Sequence, residues 1–349
     1  MKIAMLGSFD PTYPRNRIII RGLRLAGAKV FPYTTEKGYL SRIIDVLRAV
    51  CRMDYDIVLL GHIGQYYVPP LKITLQSPII LDLFAPLYES LVDDRKIFNR
   101  FGFSSFSCFL MDWLGLTLSD LSLIDTYTHR DYVAKQYNLS LKKLAVIYPG
   151  SDDSAIYPVF NHIQPQKTFI VSYHGSFIPF HGVEHILYAA YSLKQYKSQI
   201  SFQIIGEGQN FQKIKALKQH LGLTNVELLP PVPYDNLRFF LSKADVCLGV
   251  FGNSQKLDRV IPYKIFDALA MGKPIITASS NACSEILTDK NTLFCEKGNP
   301  RDLADKIMIL FKNREIAYEM GKNGYALFKE RFTPIHIGKE LIHHFKRLL

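Results

Sequence analysis

The sequence predicts an α/β protein built from two Rossmann-like, doubly wound domains that face each other across a cleft. Three observations predict it. The chain has 349 residues, and at about 150 residues per domain that length suits two domains. Short apolar runs alternate with amphipathic stretches, the pattern of parallel strands joined by covering helices. The alternation stops at a polar, proline-bearing stretch over 150–167 and then restarts.

The elements follow in order. KIAMLG (2–7) reads as a strand and leads to a helical pattern around 16–27. AKVFPY (28–33) leads to a helix near 38–52, and DIVLLG (56–61) and PIILDLF (78–84) are two further strands. LSLIDT (121–126) precedes a helix near 128–138, and LAVIYPG (144–150) closes the first set. In the second set TFIVSYHG (168–175) leads to a helix near 182–196, and SFQIIGEG (201–208) to one near 209–221. VELLPPV, ADVCLGVF, KPIITAS and TLFCEKG supply the later strands. The first domain is assigned to 1–160 and the second to 161–334. The final helical stretch, 335–349, either completes the second domain or crosses back to the first, as in one type of two-Rossmann enzyme; it is assigned to the first.

Composition narrows the function classes. Hydrophobic residues are 48% and charged residues 21% of the chain, which excludes a disordered protein. The net charge is +11, of which +7 falls in residues 1–52. Such a surplus suits an anionic partner without naming it. The five cysteines, Cys51, Cys108, Cys247, Cys283 and Cys295, are odd in number and never spaced C-x-x-C. That argues against a disulfide frame or zinc site and suits the cytoplasm. The start, MKIAMLGSFDP, reads as a buried strand and not a signal peptide. No apolar run reaches the roughly 20 residues that a spanning helix needs. FNRFGFSSFSCFLMDWLGL, with Phe98, Phe101, Phe103, Phe106, Phe109 and Trp113, is either a buried helix of the first domain or a wedge lying on a membrane.

The chemistry-bearing residues are concentrated in IPYKIFDALAMGKPIITAS, 261–279. A helix starting near Pro262 turns Ile265, Phe266, Leu269 and Ala270 inward, and Gly272 ends it. Lys264 and Asp267 lie three residues apart on that helix. A carboxylate beside a cleft accepts hydrogen bonds from a ribose diol, and a lysine meets a phosphate. The plainer reading is a solvated ion pair. In YHGSFIPFHGVEHILYAAYSL (173–193), Gly175 allows close backbone approach to a diphosphate at a helix N-terminus.

These segments resemble glycosyltransferase family 4, of the GT-B fold. In 261–279 the likeness is to the form P-x-K-x-x-(E/D)-A-L-A-x-G-K-P, with Asp267 where the family's second Glu stands. The family's first carboxylate falls at Arg259, one residue from Asp258. In 173–193 the family's Arg and Lys are replaced by Ser176 and His181, while Gly175 and Gly182 are kept. Weaker likeness extends over 204–251, where the backbone at Pro231 and Val232 would meet the nucleobase, and over 125–158 and 82–95. The resemblance implies a retaining transferase that moves a sugar from a UDP- or GDP-linked donor, without metal or further cofactor, to a glycan or lipid-linked saccharide. Donor contacts would come from Gly175, Ser176, His181, Gly182, Pro231 and Val232. Lys264 and Arg259 would offset charge on the departing diphosphate, and Asp267 would hold the ribose. Asp82, at the end of a buried strand, would contact the transferred sugar or stabilise charge at its C1, or else cap the following loop.

Arg15, Arg17, Arg21 and Arg24 form a basic patch. It is either a solvated helix face or a site for a phosphate-bearing lipid acceptor or an anionic membrane, giving a cytoplasmic protein peripheral to the inner leaflet. There is no H-E-x-x-H, Walker A loop or G-x-S-x-G, and no organised nucleic-acid motif. A sugar-nucleotide epimerase of the same fold and a degenerate partner subunit stay open as alternatives.

Overall fold

The computed structural model describes residues 1–35, 39–61, 63–158 and 168–349. They form two compact units, Met1–Gly150 with Thr333–Leu349, and Ser151–Phe332. The expected boundary at 160/161 lies outside the described residues.

The first unit runs β1 (Lys2–Gly7), α1 (Pro14–Leu25), β2 (Lys29–Thr34), α2 (Tyr39–Val50), β3 (Ile57–Leu60), α3 (Val68–Thr74), β4 (Ile79–Asp82), α4 (Phe103–Leu118), β5 (Leu121–Ile124), α5 (Tyr127–Tyr137) and β6 (Leu144–Val146). The second runs β7 (Phe169–His174), α6 (Val183–Ser192), β8 (Ile200–Ile205), α7 (Phe211–His220), β9 (Val226–Leu229), α8 (Tyr234–Lys243), β10 (Val246–Leu248), α9 (Tyr263–Ala270), β11 (Ile275–Ala278), β12 (Thr292–Cys295), α10 (Pro300–Lys312) and α11 (Arg314–Arg331). A last helix, α12 (Pro334–Lys346), belongs to the first unit. All twelve strands fall on the apolar runs expected to form them.

Each unit holds one six-stranded sheet, ordered β2-β1-β3-β4-β5-β6 and β12-β11-β10-β7-β8-β9. Every recorded strand pair is parallel. Parallel strands need covering helices, which explains why β3, β4, β5 and β11 are buried along their whole length. The order of the first sheet reverses at β1. The crossover through α1 runs one way across the sheet and those through α2 to α5 run the other. Right-handed crossovers therefore put α1 and α4 on opposite faces. The packing agrees, since Val46, Leu71, Leu116 and Val133 from α2 to α5 share one core with Ala4, Leu6, Val58 and Leu81. The basic helix and the aromatic helix consequently do not form one surface.

Helix α12 packs against α1 at a pair of glycines. A Cβ on Gly338 would lie 1.9 Å from the Gly22 carbonyl oxygen, so no larger residue fits there without separating the helices.

Candidate functional site

The sequence-predicted donor residues gather at the C-terminal edge of the second sheet, where open parallel sheets bind ligands. β7 ends at His174, and Gly175 follows with φ +133°. A Cβ there would lie 3.0 Å from both Cε and Nζ of Lys264, so only glycine lets the lysine lie against this turn. The Gly175 N–H donates to the Ile205 carbonyl at 2.9 Å. Its own amide is thus engaged within the sheet edge, and what Gly175 provides is the clearance for close approach that the sequence led us to expect. The chain then makes a short 3₁₀ turn, Pro179–His181, and Gly182 (φ +62°) opens α6.

Lys264 is buried on the first turn of α9. Its Nζ donates to the Tyr173 hydroxyl at 3.1 Å, lies 3.4 Å from His181 Nδ1, and sits 4.2 Å from the centre of the Tyr173 ring. Tyr173 in turn donates to the Ser176 carbonyl at 3.0 Å, and His181 Nδ1 lies 2.9 Å from the Tyr173 hydroxyl. Burial pushes the Lys264 ammonium well below the usual lysine range, with Asp267 partly opposing it. Burial likewise raises the Tyr173 phenol. The cluster is a dehydrated lysine site lined by polar atoms.

Asp267, one turn further along α9, is buried and held from three sides. Ser151 Oγ and the Tyr234 hydroxyl donate to Oδ1 at 2.7 and 2.8 Å, and His174 Nε2 lies 3.2 Å from Oδ2. The solvated ion-pair reading of Lys264 and Asp267 is thereby overturned, because both are inside and each has its own partners. Arg259 is half-buried after the 3₁₀ turn Gln255–Asp258. Neighbouring Asp258, the nearest acid to the family's missing carboxylate, is paired with Lys297. Ser176 and Pro231 are exposed and Val232 is half-buried. Tyr234, two residues past Val232, ties that loop to Asp267. Tyr173, His174, Ser151 and Tyr234 were not anticipated. Tyr173 and His174 adjoin the glycine motif in the chain, but Ser151 and Tyr234 are 116 and 33 residues from Asp267 and give no local signal.

In the first unit Asp82 ends β4 and is buried. Arg15 Nε donates to its Oδ1 and Oδ2 at 2.8 and 2.7 Å, and Nη2 to Oδ1 at 2.6 Å. Arg15 is only 3% exposed, which removes it from the expected surface patch. The reason is helical geometry: Arg17, Arg21 and Arg24 share a face, whereas Arg15 joins the inner row with Ile18, Ile19 and Gly22. The remaining three arginines, with Pro11, Ile20, Leu25 and Pro32, line a shallow concavity of about 480 Å³.

The loop after β4 is fixed by buried charge that the sequence did not reveal. Phe84 adopts φ +42° beneath the Arg15 guanidinium, 4.8 Å from the ring centre. Asp112 accepts the N–H groups of Leu87 and Tyr88 at 3.0 and 2.9 Å, and also bonds to Gln65 and Tyr137. Burial lifts its carboxyl to about 6 against these bonds. Fully buried His129 bridges Asp125 (2.6 Å) and Glu89 (3.0 Å). Burial disfavours the charged ring, but Glu89 and Asp125 outweigh it and hold His129 up at about 9. A folded value above the free value of 6.5 means that this stabilisation is complete below pH 6.5 and is lost as pH rises through about 9. Urea titrations across that window should show the loss in the native chain and a flatter profile in His129→Gln.

Comparisons with known proteins find glycosyltransferases. Residues 159–327 match the family model described as glycosyl transferases group 1. Over 204 residues the chain is 29% identical to an uncharacterized glycosyltransferase, MJ1178, of Methanocaldococcus jannaschii, covering 58% of this chain and 53% of that protein. The chain thus spans about half the length of this relative. The structure of HepE of Anabaena in complex with UDP and glucose superposes with a TM-score of 0.79 at 15% identity, covering 99% of this chain and 100% of that one. The sucrose-phosphate synthase of Thermosynechococcus elongatus gives 0.81 at 15% identity, covering 99% and 98%. The two parallel sheets with their helices are the two-domain α/β fold of these structures, GT-B.

Proposed function

We propose that this chain is a glycosyltransferase that holds a sugar nucleotide on its second unit and transfers the sugar with retention of configuration. The observation that carries the reading is the buried Lys264 side chain pressed against the Gly175 turn, by the short turn that leads into α6. A buried amine beside a helix N-terminus is suited to a diphosphate, whose charge favours the protonated form. The group 1 match over 159–327 and the UDP and glucose named for HepE support the same ligand class.

In this scheme Lys264 and Arg259 offset charge that builds on the departing diphosphate, and His181 orients Lys264 through Tyr173. No metal ion enters the scheme. Asp267 takes ribose hydroxyls through Oδ2, beside His174, and the loop at Pro231–Val232 meets the base. The acceptor is a glycan or lipid-linked saccharide held by the first unit, with Arg17, Arg21 and Arg24 serving an anionic portion of it.

The test is a thermal-shift screen with UDP- and GDP-sugars and the free diphosphates. A ligand at a hundred times its Kd stabilises the native form by about 2.7 kcal/mol. A clear rise in melting temperature with one base is expected. No shift with any of them would refute donor binding and favour the partner-subunit alternative. Interconversion of the donor without acceptor would favour the epimerase.

A further inference from the structure

Helix α4 is built inside out. Its inner row carries Ser105, Cys108, Asp112 and Leu116, all buried. Its outer row, spaced i, i+3, i+7 and i+10, carries Phe103, Phe106, Leu110 and Trp113. Phe103 is 86%, Phe106 61% and Trp113 40% exposed, and Phe101, just before the helix, is 96% exposed. The reading of this segment as a buried helix of the first domain therefore fails for Phe101, Phe103, Phe106 and Trp113, although Phe109 does pack inward on Tyr137 at 5.0 Å. Single exposed rings need no explanation, but a continuous aromatic row marks an interaction surface.

The surroundings point to the partner. Lys96 and Arg100 are exposed at the start of the row, with exposed Ile97 between them. No acidic residue occurs from 95 to 111, and the one acid within the helix, Asp112, is buried. A second copy seated on this face would bring Lys96 and Arg100 against like charges of its own. An anionic lipid surface supplies both the apolar depth and the countercharge. Among the described residues no helix is long and apolar enough to cross a membrane.

We propose that the outer face of α4 docks on an anionic membrane surface. The Phe101, Phe103, Phe106 and Trp113 rings enter the boundary between headgroups and acyl chains, and Lys96 and Arg100 meet the lipid phosphates. The helix lies in the plane of the surface. The three arginines of α1, on the other face of the sheet, take no part. The inference goes beyond the transferase reading and does not depend on it.

The test uses the whole chain and vesicles of phosphatidylcholine, alone or mixed with phosphatidylglycerol. Trp113 is the only tryptophan, so its emission reports the row directly. Flotation with the anionic vesicles and a blue shift of Trp113 emission are expected, both weakened by salt. Lys96→Glu with Arg100→Glu should lower partitioning by about fivefold or more for each residue. Phe103→Ser with Phe106→Ser should lower it by about tenfold or more. Both pairs are exposed, so the melting temperature, and its shift with nucleoside diphosphate, should stay at the parent value. That control separates a failure here from a failure of donor binding. Absence of vesicle binding would overturn the proposal, as would equal binding to neutral vesicles. So would a blue shift that grows with protein concentration without lipid, which would assign the row to a second copy.

Discussion

Lys264→Met is expected to lower turnover by about 10²–10³-fold, the usual loss when a preorganised charge-stabilising donor is removed, while leaving the unliganded protein at least as stable. The two effects have one cause. Lys264 is buried, and burial holds its ammonium well below the ordinary lysine value of 10.5. The native chain therefore binds this proton less readily than the unfolded chain does. The resulting penalty is full below the folded pKa and vanishes as pH rises to the unfolded value. Methionine of similar length escapes it, so any stability gain of the variant should be greatest at lower pH and fade toward pH 10.5. Diphosphate binding reverses the balance by favouring the ammonium. Calorimetry in buffers of different ionisation enthalpy should then record proton uptake by the parent chain and none at this site in the variant. Loss of stability together with unchanged donor binding would make Lys264 a packing residue only.

Arg15→Ala should be the most destabilising single change in the first unit. Arg15 and Asp82 are both buried, and three N–H···O contacts join them. Removing one partner leaves a buried charge uncompensated, at a cost of about 3–5 kcal/mol. Replacing both by apolar groups, Arg15→Met with Asp82→Leu, should recover most of that loss, and urea midpoints measure both. Asp82→Asn separates structure from chemistry. If it folds and turns over like the parent, Asp82 acts only as the anchor of Arg15. If it folds and loses kcat alone, its charge serves the reaction.

The architecture was legible in the chain because parallel strands buried on both faces must be short continuous apolar runs. KIAMLG, DIVLLG and KPIITAS announce themselves, and all of the expected strands formed. Glycine at 175 and 182, and the run from Pro262 to Pro274, also marked the loops and helix of the candidate site. Local spacing fixes such features, since each depends on backbone conformation or on one helix face.

Only the tertiary structure decided which charges are inside. Helical spacing sets Arg15 off the face that Arg17, Arg21 and Arg24 share, but only the packing of α1 on the sheet shows that its row is the inner one and meets Asp82, 67 residues away. Asp267 looked like a solvated partner of Lys264 until Ser151, Tyr234 and His174 surrounded it. Asp112 and His129 gave no signal at all, because a buried polar group is recognised by partners that the fold brings from distant segments. The same physics turned α4 outward: its polar residues are wanted inside to hold the loop after β4, and its aromatic rings are left on the surface.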